Sequence, residues 1–268
     1  MSVSEMFAQV RVLLESPSPC VVWAFDDEAD AGPWDSQMGG PGWGVPGVDV
    51  PRDASGAPLL FVVQLDVADL VPVLGPTALG EGVVQLFLSA DPMACAFPSV
   101  GNGPGFVLRH IATGTVMETL PVGAPWQSFQ WEESAMLPRR LRMGPGRVWP
   151  SIEDASIQGR IRSIHESVRA SGFAGQMWEH PEVSAGMDML YEVRPRVPPM
   201  HSGGFPGFTQ GDPRVRHPEL AGNTGVWLNI SAGPDLMVGD AGELHILLRP
   251  EDWAAGVLSN AIYDWDCP

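Results

Sequence analysis

Residues 239–249, GDAGELHILLR, have an earlier echo at residues 80–89, GEGVVQLFLS, and this pair constrains the fold more than any other feature of the chain. Aligned on Gly82 and Gly242, the segments match Val84 with Leu244, Leu86 with Ile246 and Leu88 with Leu248. Each reads as a turn of glycine and acid feeding a strand whose alternate residues face a core. Glycine suits such a turn because it reaches positive φ without the steric penalty of a Cβ. On this alternation Leu86, Leu88, Ile246 and Leu248 are core residues, and Gln85 and His245 lie on the opposite, more exposed face. An echo over so long a separation predicts two related halves in one fold.

The flanking segments repeat in the same order. MGGPGW at 38–43, PLLFVVQLD at 58–66 and the strand at 80–89 are answered by SGGFPGF at 202–208, GVWLNIS at 225–231 and the strand at 239–249. A Gly-Gly-Pro loop, an apolar strand, a glycine-acid turn and an alternating strand in register predict an internal duplication. The half-repeats span 35–135 and 201–268, with a helical insertion at 151–172, inside one domain covering 1–268. With 31 Gly and 27 Pro the chain favours strands and turns over long helices. The predicted class is therefore mainly β (α+β), two similar β-rich halves with a few peripheral helices.

Local signals fill in this outline. Residues 4–15 read as a helix capped by Ser4 and stopped by Pro17, and 20–25 as a short strand. Residues 35–55 read as an ordered loop across the domain, because their glycines and prolines forbid regular structure. A hairpin around Thr113-Gly114 joins 106–111 to 115–119, and 126–131 (WQSFQW) reads as a further strand. Ile157, Ile161, Ile164 and Val168 define an amphipathic helix over 151–171, with a capping box at Ser151 and Asp154. Residues 173–200 read as loop and short strand, with YEVRPRV at 191–197 the strand candidate.

Charge narrows the function. The formal net charge is −17, and all 15 basic residues are Arg. Without Lys there is no Schiff-base lysine, pyridoxal-phosphate anchor or P-loop Lys. Phosphate backbones are repelled, so the prediction is no nucleic acid, with a basic protein or a cation the better partner. The alternative is that acidity serves solubility alone. Arg160, Arg162 and Arg169 spread around the central helix and read as a solvated face. Cys20, Cys95 and Cys267 form no CxxC, which argues against a disulfide framework or zinc ribbon and fits a reducing, cytoplasmic setting. No leader-like or membrane-length apolar run is present, so the prediction is no membrane.

Taken together, MGGPGW, PLLFVVQLD, SGGFPGFTQGDP, GDAGELHILLRPEDW and the terminal YDWDCP resemble the bacterial YwqG-like family, classed by a domain of unknown function. The resemblance runs from residue 37 to residue 268. It implies a mostly β fold of two similar halves with a few helices, and no established activity. Members resemble proteins found near toxin–immunity loci, which implies a protein-binding role.

The residues offer little for catalysis. None of the six histidines sits in HExxH, and there is no GxSxG, so Ser231 lacks a nucleophile elbow. DDEAD at 26–30 reads as a solvated loop, and Glu132-Glu133 and Asp264/Asp266 lack a spacing that fixes an acid–base pair. No catalytic residue, cofactor or metal ligand is assigned. The candidate binding residues are Gln64 and Asp66 in FVVQLD, Gln210 in FTQGDP, Asp240 in the repeated turn, and Trp265 near the end. The alternative for the two glutamines is that their amides satisfy backbone groups of irregular loops. Ile262 and Trp265 are expected to pack on the second half, with Asp264 and Asp266 facing solvent or capping backbone groups. Two readings stay open: a non-catalytic binding protein, of which a toxin-immunity protein is one form, and an enzyme or small-ligand binder with a pocket between the halves.

Overall fold

The computed structural model of the chain describes residues 1–26, 30–89, 99–120, 138–193, 197–232 and 241–267. The described residues form thirteen strands. In the first part these are β1 (Ser18–Asp26), β2 (Gln37–Met38), β3 (Trp43–Gly44), β4 (Leu60–Asp66), β5 (Gly82–Leu88), β6 (Ser99–Val100), β7 (Phe106–Ala112), β8 (Glu118–Thr119) and β9 (Arg139–Val148). The second part supplies β10 (Met200–Ser202), β11 (Gly225–Ser231), β12 (Glu243–Leu248) and β13 (Ile262–Asp266). Eleven of them form one sheet, in the order β6-β13-β12-β11-β10-β1-β9-β2-β4-β5-β7, and β3 pairs with β8 separately. The sheet curls until its ends meet. Phe106 on β7 lies 5.7 Å from Tyr263 on β13, and the Asn102 side chain bonds the Leu108 backbone in both directions.

The echoed segments take the same register. Gln64 faces Gln85 across β4 and β5, with a bulge between Phe61 and Val63. Asn229 faces His245 across β11 and β12, with a bulge between Val226 and Leu228. An extra residue there, Val62 or Trp227, increases the local twist and helps the sheet curl.

Alternation then divides the sheet's two faces. Val84, Leu86, Leu228, Leu244 and Ile246 turn into the main core, which also receives Val67 and Leu70 of helix α2 (Val67–Leu74). The opposite face is covered as well. Leu59, Phe61, Phe87 and Leu120 close over the β4–β5 side, and Phe208, Leu220, Val226, Leu247 and Ile262 over the β11–β12 side. This covering explains why Gln85 and His245, expected to be exposed, are both 0 % exposed. The glycine-rich loops lie close enough to seal the face only because they lack side chains. A Cβ on Gly42 (φ +69°) would sit 2.5 Å from the Phe61 ring, and one on Gly207 2.3 Å from the Glu243 carboxylate.

Helices α1 (Val3–Leu14), α3 (Ala155–Ala170) and α4 (Pro181–Tyr191) form a second core around Phe7, Ile157, Ile161, Ile164, Val168 and Val183. Gly186 lets α4 approach the Phe7 ring, which a Cβ would meet at 2.2 Å. Two short helices, α5 (Pro213–Arg216) and α6 (Pro250–Ala255), belong to the second part. Trp253 of α6 is fully buried and donates its indole N–H to Gly75 O at 2.7 Å.

Several local expectations change. Ser2, not Ser4, caps α1, in a reciprocal box with Glu5. Asp154 caps α3 alone, through Ser156 N, without Ser151 as box partner. Tyr191 ends helix α4 instead of opening a strand, because Val183, Gly186 and Leu190 recur at helical spacing against α1. The turn at Thr113-Gly114 forms, yet Glu118 and Thr119 pair with Gly44 and Trp43, not with β7, whose partner is β5. The predicted strand at 126–131, residues 27–29 of the acidic loop, Cys95 and the Glu132-Glu133 pair lie outside the described residues.

Candidate functional site

Two rows of polar residues run across the covered face of the sheet. In the first, Gln37, Gln64, Gln85 and Arg109 are consecutive Cα partners across β2, β4, β5 and β7. In the second, His201, Asn229, His245 and Asp264 hold the corresponding places across β10, β11, β12 and β13. Six of the eight are 0–1 % exposed, Asp264 is 4 % exposed, and Arg109 is partly buried. Burying a polar group away from water costs about 1–3 kcal/mol unless it is hydrogen-bonded, so the bonding of each row decides what it is for.

The first row is bonded within itself and to the loop above. Gln64 Nε2 donates to Pro33 O (3.0 Å) and Asp35 O (2.8 Å), and its Oε1 accepts from Gln85 Nε2 at 3.0 Å. Gln85 Nε2 also reaches Trp43 O at 2.7 Å, and its Oε1 accepts both Nε (3.2 Å) and Nη2 (2.8 Å) of Arg109. The Arg109 guanidinium stacks 4.7 Å from the Phe87 ring centroid. Trp43 Nε1 donates to Gln37 Oε1 at 2.9 Å. These amides hold irregular loops in place.

The second row carries titratable groups. Asn229 Oδ1 accepts from Gly207 N at 2.9 Å and faces His245 Nδ1 at 2.8 Å, while Asn229 Nδ2 donates to Glu243 at 2.9 Å. His245 Nε2 lies 3.3 Å from Asp266 Oδ1, and the Phe208 ring covers the imidazole at 4.4 Å. Asp266 Oδ2 accepts the backbone N–H of Thr209 (2.7 Å) and Gln210 (2.8 Å). Burial would raise Asp266, but these hydrogen bonds and His245 outweigh it and hold the carboxyl below its ordinary value. Burial raises Glu243 and pushes Asp264 up to about 6. Burial lowers His201 to about 4, even though its Nε2 lies 3.0 Å from Phe205 O.

Beside this row lies a buried ion triad. Arg214 Nε donates to Asp212 Oδ1 at 2.9 Å and its Nη2 to Asp154 Oδ2 at 3.1 Å, while Asp212 accepts Ala155 N at 2.8 Å. The triad locks the start of α3 to the loop above β11 and β12. Burial would lower the guanidinium's pKa, but the two carboxylates outweigh it and keep the value raised.

As chemistry, the arrangement is closed. Both nitrogens of His245 face oxygen acceptors, which leaves neither free to take a substrate proton. No side chain with an activated hydroxyl or thiol touches the imidazole among the described residues. Nor do three or more His, Cys, Asp or Glu side chains among them form a group suited to a metal ion. A separate cavity of about 350 Å³ opens between α2 and the second part, lined by Pro19, Val73, Leu74, Gly203, Val226 and Trp253 among others, none of them titratable.

The sequence candidates scatter. Gln64 is in the first row, and Gln210 is exposed at the rim of the second, bonded through its backbone to Asp266. Asp66 instead caps α2 by accepting Ala68 N at 2.9 Å. Trp265 is partly buried and packs against the main core, and Ile262 is fully buried on the covered face. Asp240 lies outside the described residues. Asp266 caps backbone as one expectation had it, but Asp264, expected at the surface or capping, is buried and does neither. Its β13 position sets it beside His245 on the covered face. Gln85, His245, Asn229 and His201 were missed as a set. For Gln85 and His245 the signal was a polar residue within an apolar strand, three residues after the aligned Gly82 and Gly242.

A comparison with curated proteins finds no match. Among the described residues no helix is long and apolar enough to cross a membrane. Residues 36–267, which contain both rows and the strands that carry them, match the family described as a domain of unknown function, DUF1963, and the chain belongs to that family.

Proposed function

We propose that the protein is a non-catalytic binding module whose partner is a basic protein, and that its two halves descend from an internal duplication within a YwqG-like lineage. The observation that carries the reading is the closure of the polar rows: His245, Asn229, Gln64 and Gln85 spend their hydrogen bonds on neighbours. A surplus of 17 negative charges supports a cationic partner by long-range attraction. A toxin masked by its immunity protein in a reducing cytoplasm is the form this reading takes. The equal registers and bulges of β4–β5 and β11–β12 support the duplication.

Affinity capture from the native host, eluted with salt and identified by mass spectrometry, tests the binding role. The expected outcome is one stoichiometric basic protein released near 1 M salt, where the Debye length falls to about 3 Å. Turnover of any substrate by the purified protein, with no such partner, would overturn it.

The cavity of about 350 Å³ between the halves favours a second reading, a small-ligand site. Its walls mix apolar side chains with Ser18, Thr224 and glycine backbone and carry no charged side chain, which suits an uncharged compound. A fragment screen with Val73→Phe, which fills the cavity from α2, as the control distinguishes this from the first reading.

A further inference from the structure

We infer that residues 205–210 form a strap latched over the sheet by a doubly protonated His245, and that loss of one ring proton releases it. Such a closure does not depend on the binding role proposed above. Glycines at positive φ bound the strap, Gly203 and Gly204 at one end and Gly211 at the other. Among the described residues no backbone–backbone hydrogen bond ties residues 205–210 to the sheet. Side chains of the second row hold them instead. His201 Nε2 lies 3.0 Å from Phe205 O, and Asn229 Oδ1 accepts Gly207 N at 2.9 Å. Asp266 Oδ2 accepts the N–H groups of Thr209 (2.7 Å) and Gln210 (2.8 Å). The Phe208 ring lies 4.4 Å from the His245 ring and 5.8 Å from the Arg214 guanidinium carbon.

The acceptors fix the number of protons on His245. The Gly207 N–H can only donate, so the Asn229 atom that meets it is the oxygen. The same oxygen stands 2.8 Å from His245 Nδ1, which must therefore carry a proton. Asn229 Nδ2 donating to Glu243 at 2.9 Å agrees with this orientation. On the other side of the ring, Nε2 meets Asp266 Oδ1 at 3.3 Å. Burial opposes ionisation of that carboxyl, but His245 and the two strap N–H groups hold it below its ordinary value. An ionised acceptor at that place requires a second proton, on Nε2. His245, 0 % exposed, is thus an imidazolium. The charged and titratable groups around it are Asp264 and Asp266 of β13, Glu243 of β12, His201 of β10, and Arg214 and Arg216 of α5. The three carboxyls supply its counter-charge.

Loss of the Nε2 proton to solvent leaves a lone pair facing the Asp266 carboxylate, and two acceptors repel. Asp266 anchors Thr209 and Gln210, so that end of the strap is released. The latch is closed in mild acid, where Asp266 stays ionised, and opens as pH rises. Lifting the strap bares His245 and Asn229, both 0 % exposed when it is closed. The first row provides the contrast. Gln85 stands where His245 stands and does not titrate, so its bonds to Gln64 and Trp43 hold their loops at every pH.

Heteronuclear NMR of the histidine rings in the intact chain tests the latch, with contact to the Phe208 ring identifying His245. Two protonated ring nitrogens in mild acid, and loss of the Nε2 proton as pH rises, are expected. The Gly207, Thr209 and Gln210 amides should shift with the same midpoint. Their hydrogen exchange, corrected for its intrinsic pH dependence, should quicken about tenfold. The Trp43 indole, held by the first row, should not follow. His245→Gln should abolish the shared midpoint. If that variant does not fold, Asp266→Asn, which removes the charge facing Nε2, should move the midpoint to lower pH. A ring whose proton count does not change while the chain stays folded, or strap amides indifferent to one that does, would overturn the latch.

Discussion

Asn229 Oδ1 lies 2.8 Å from His245 Nδ1, at the place in β11 and β12 where Gln64 Oε1 accepts from Gln85 Nε2 in β4 and β5. One sheet position thus carries an amide–imidazole pair on one side and an amide–amide pair on the other. Replacing His245 with Ala removes a partner from both Asn229 and Asp266 in a fully buried setting. The expected loss is about 2–4 kcal/mol in urea unfolding. A loss under about 1 kcal/mol would show that the row does not hold the covering loop.

Ile246, the neighbour of His245, points the other way into the main core and is 0 % exposed. Ile246→Ala should cost about 2–5 kcal/mol by leaving a cavity. Measuring it alongside Leu86→Ala, at the matching register, should give similar values.

The terminal strand is structural. β13 lies between β12 and β6, and Tyr263 on it is 1 % exposed and packs on Phe106. Deleting residues 263–268 removes two aromatics, each worth on the order of several kcal/mol, and opens the sheet. The urea midpoint should fall sharply or the cooperative transition vanish. An unchanged midpoint would make the segment dispensable.

Acid tests the second row. Burial pushes Asp264 up from 3.8 to about 6, so the folded chain holds this proton more tightly than the unfolded chain. Its stabilisation is fully present below 3.8 and is lost as pH rises through about 6. His201 works in reverse: burial lowers it from 6.5 to about 4, so the unfolded chain takes the proton first and stability falls across that window on acidification. Each contributes on the order of 3 kcal/mol. Relative to wild type, Asp264→Asn should therefore lose about that much more stability between pH 7 and pH 4. His201→Gln, which installs the residue found at Gln37, should lose less. Urea midpoints across this range decide it, and parallel pH curves for all three proteins would refute the assignment.

Alternation and glycine turns made the strands around Leu86 and Ile246, the amphipathic α3 and their shared register legible in the sequence, because these depend on neighbours a few residues apart. The burial of Gln85 and His245 was not legible. Local pattern marks which face a residue takes, but only the tertiary fold decides whether that face meets water or another loop. Phe208 and Phe61 close those faces from distant chain segments, on loops and strands whose partners no local rule identifies. The same holds for Asp264. Its place on β13 follows from a pattern of alternating residues, whereas its burial and its shifted acidity arise only when β12 pairs with β13 and the chain segment bearing Asp212 and Arg216 comes near it.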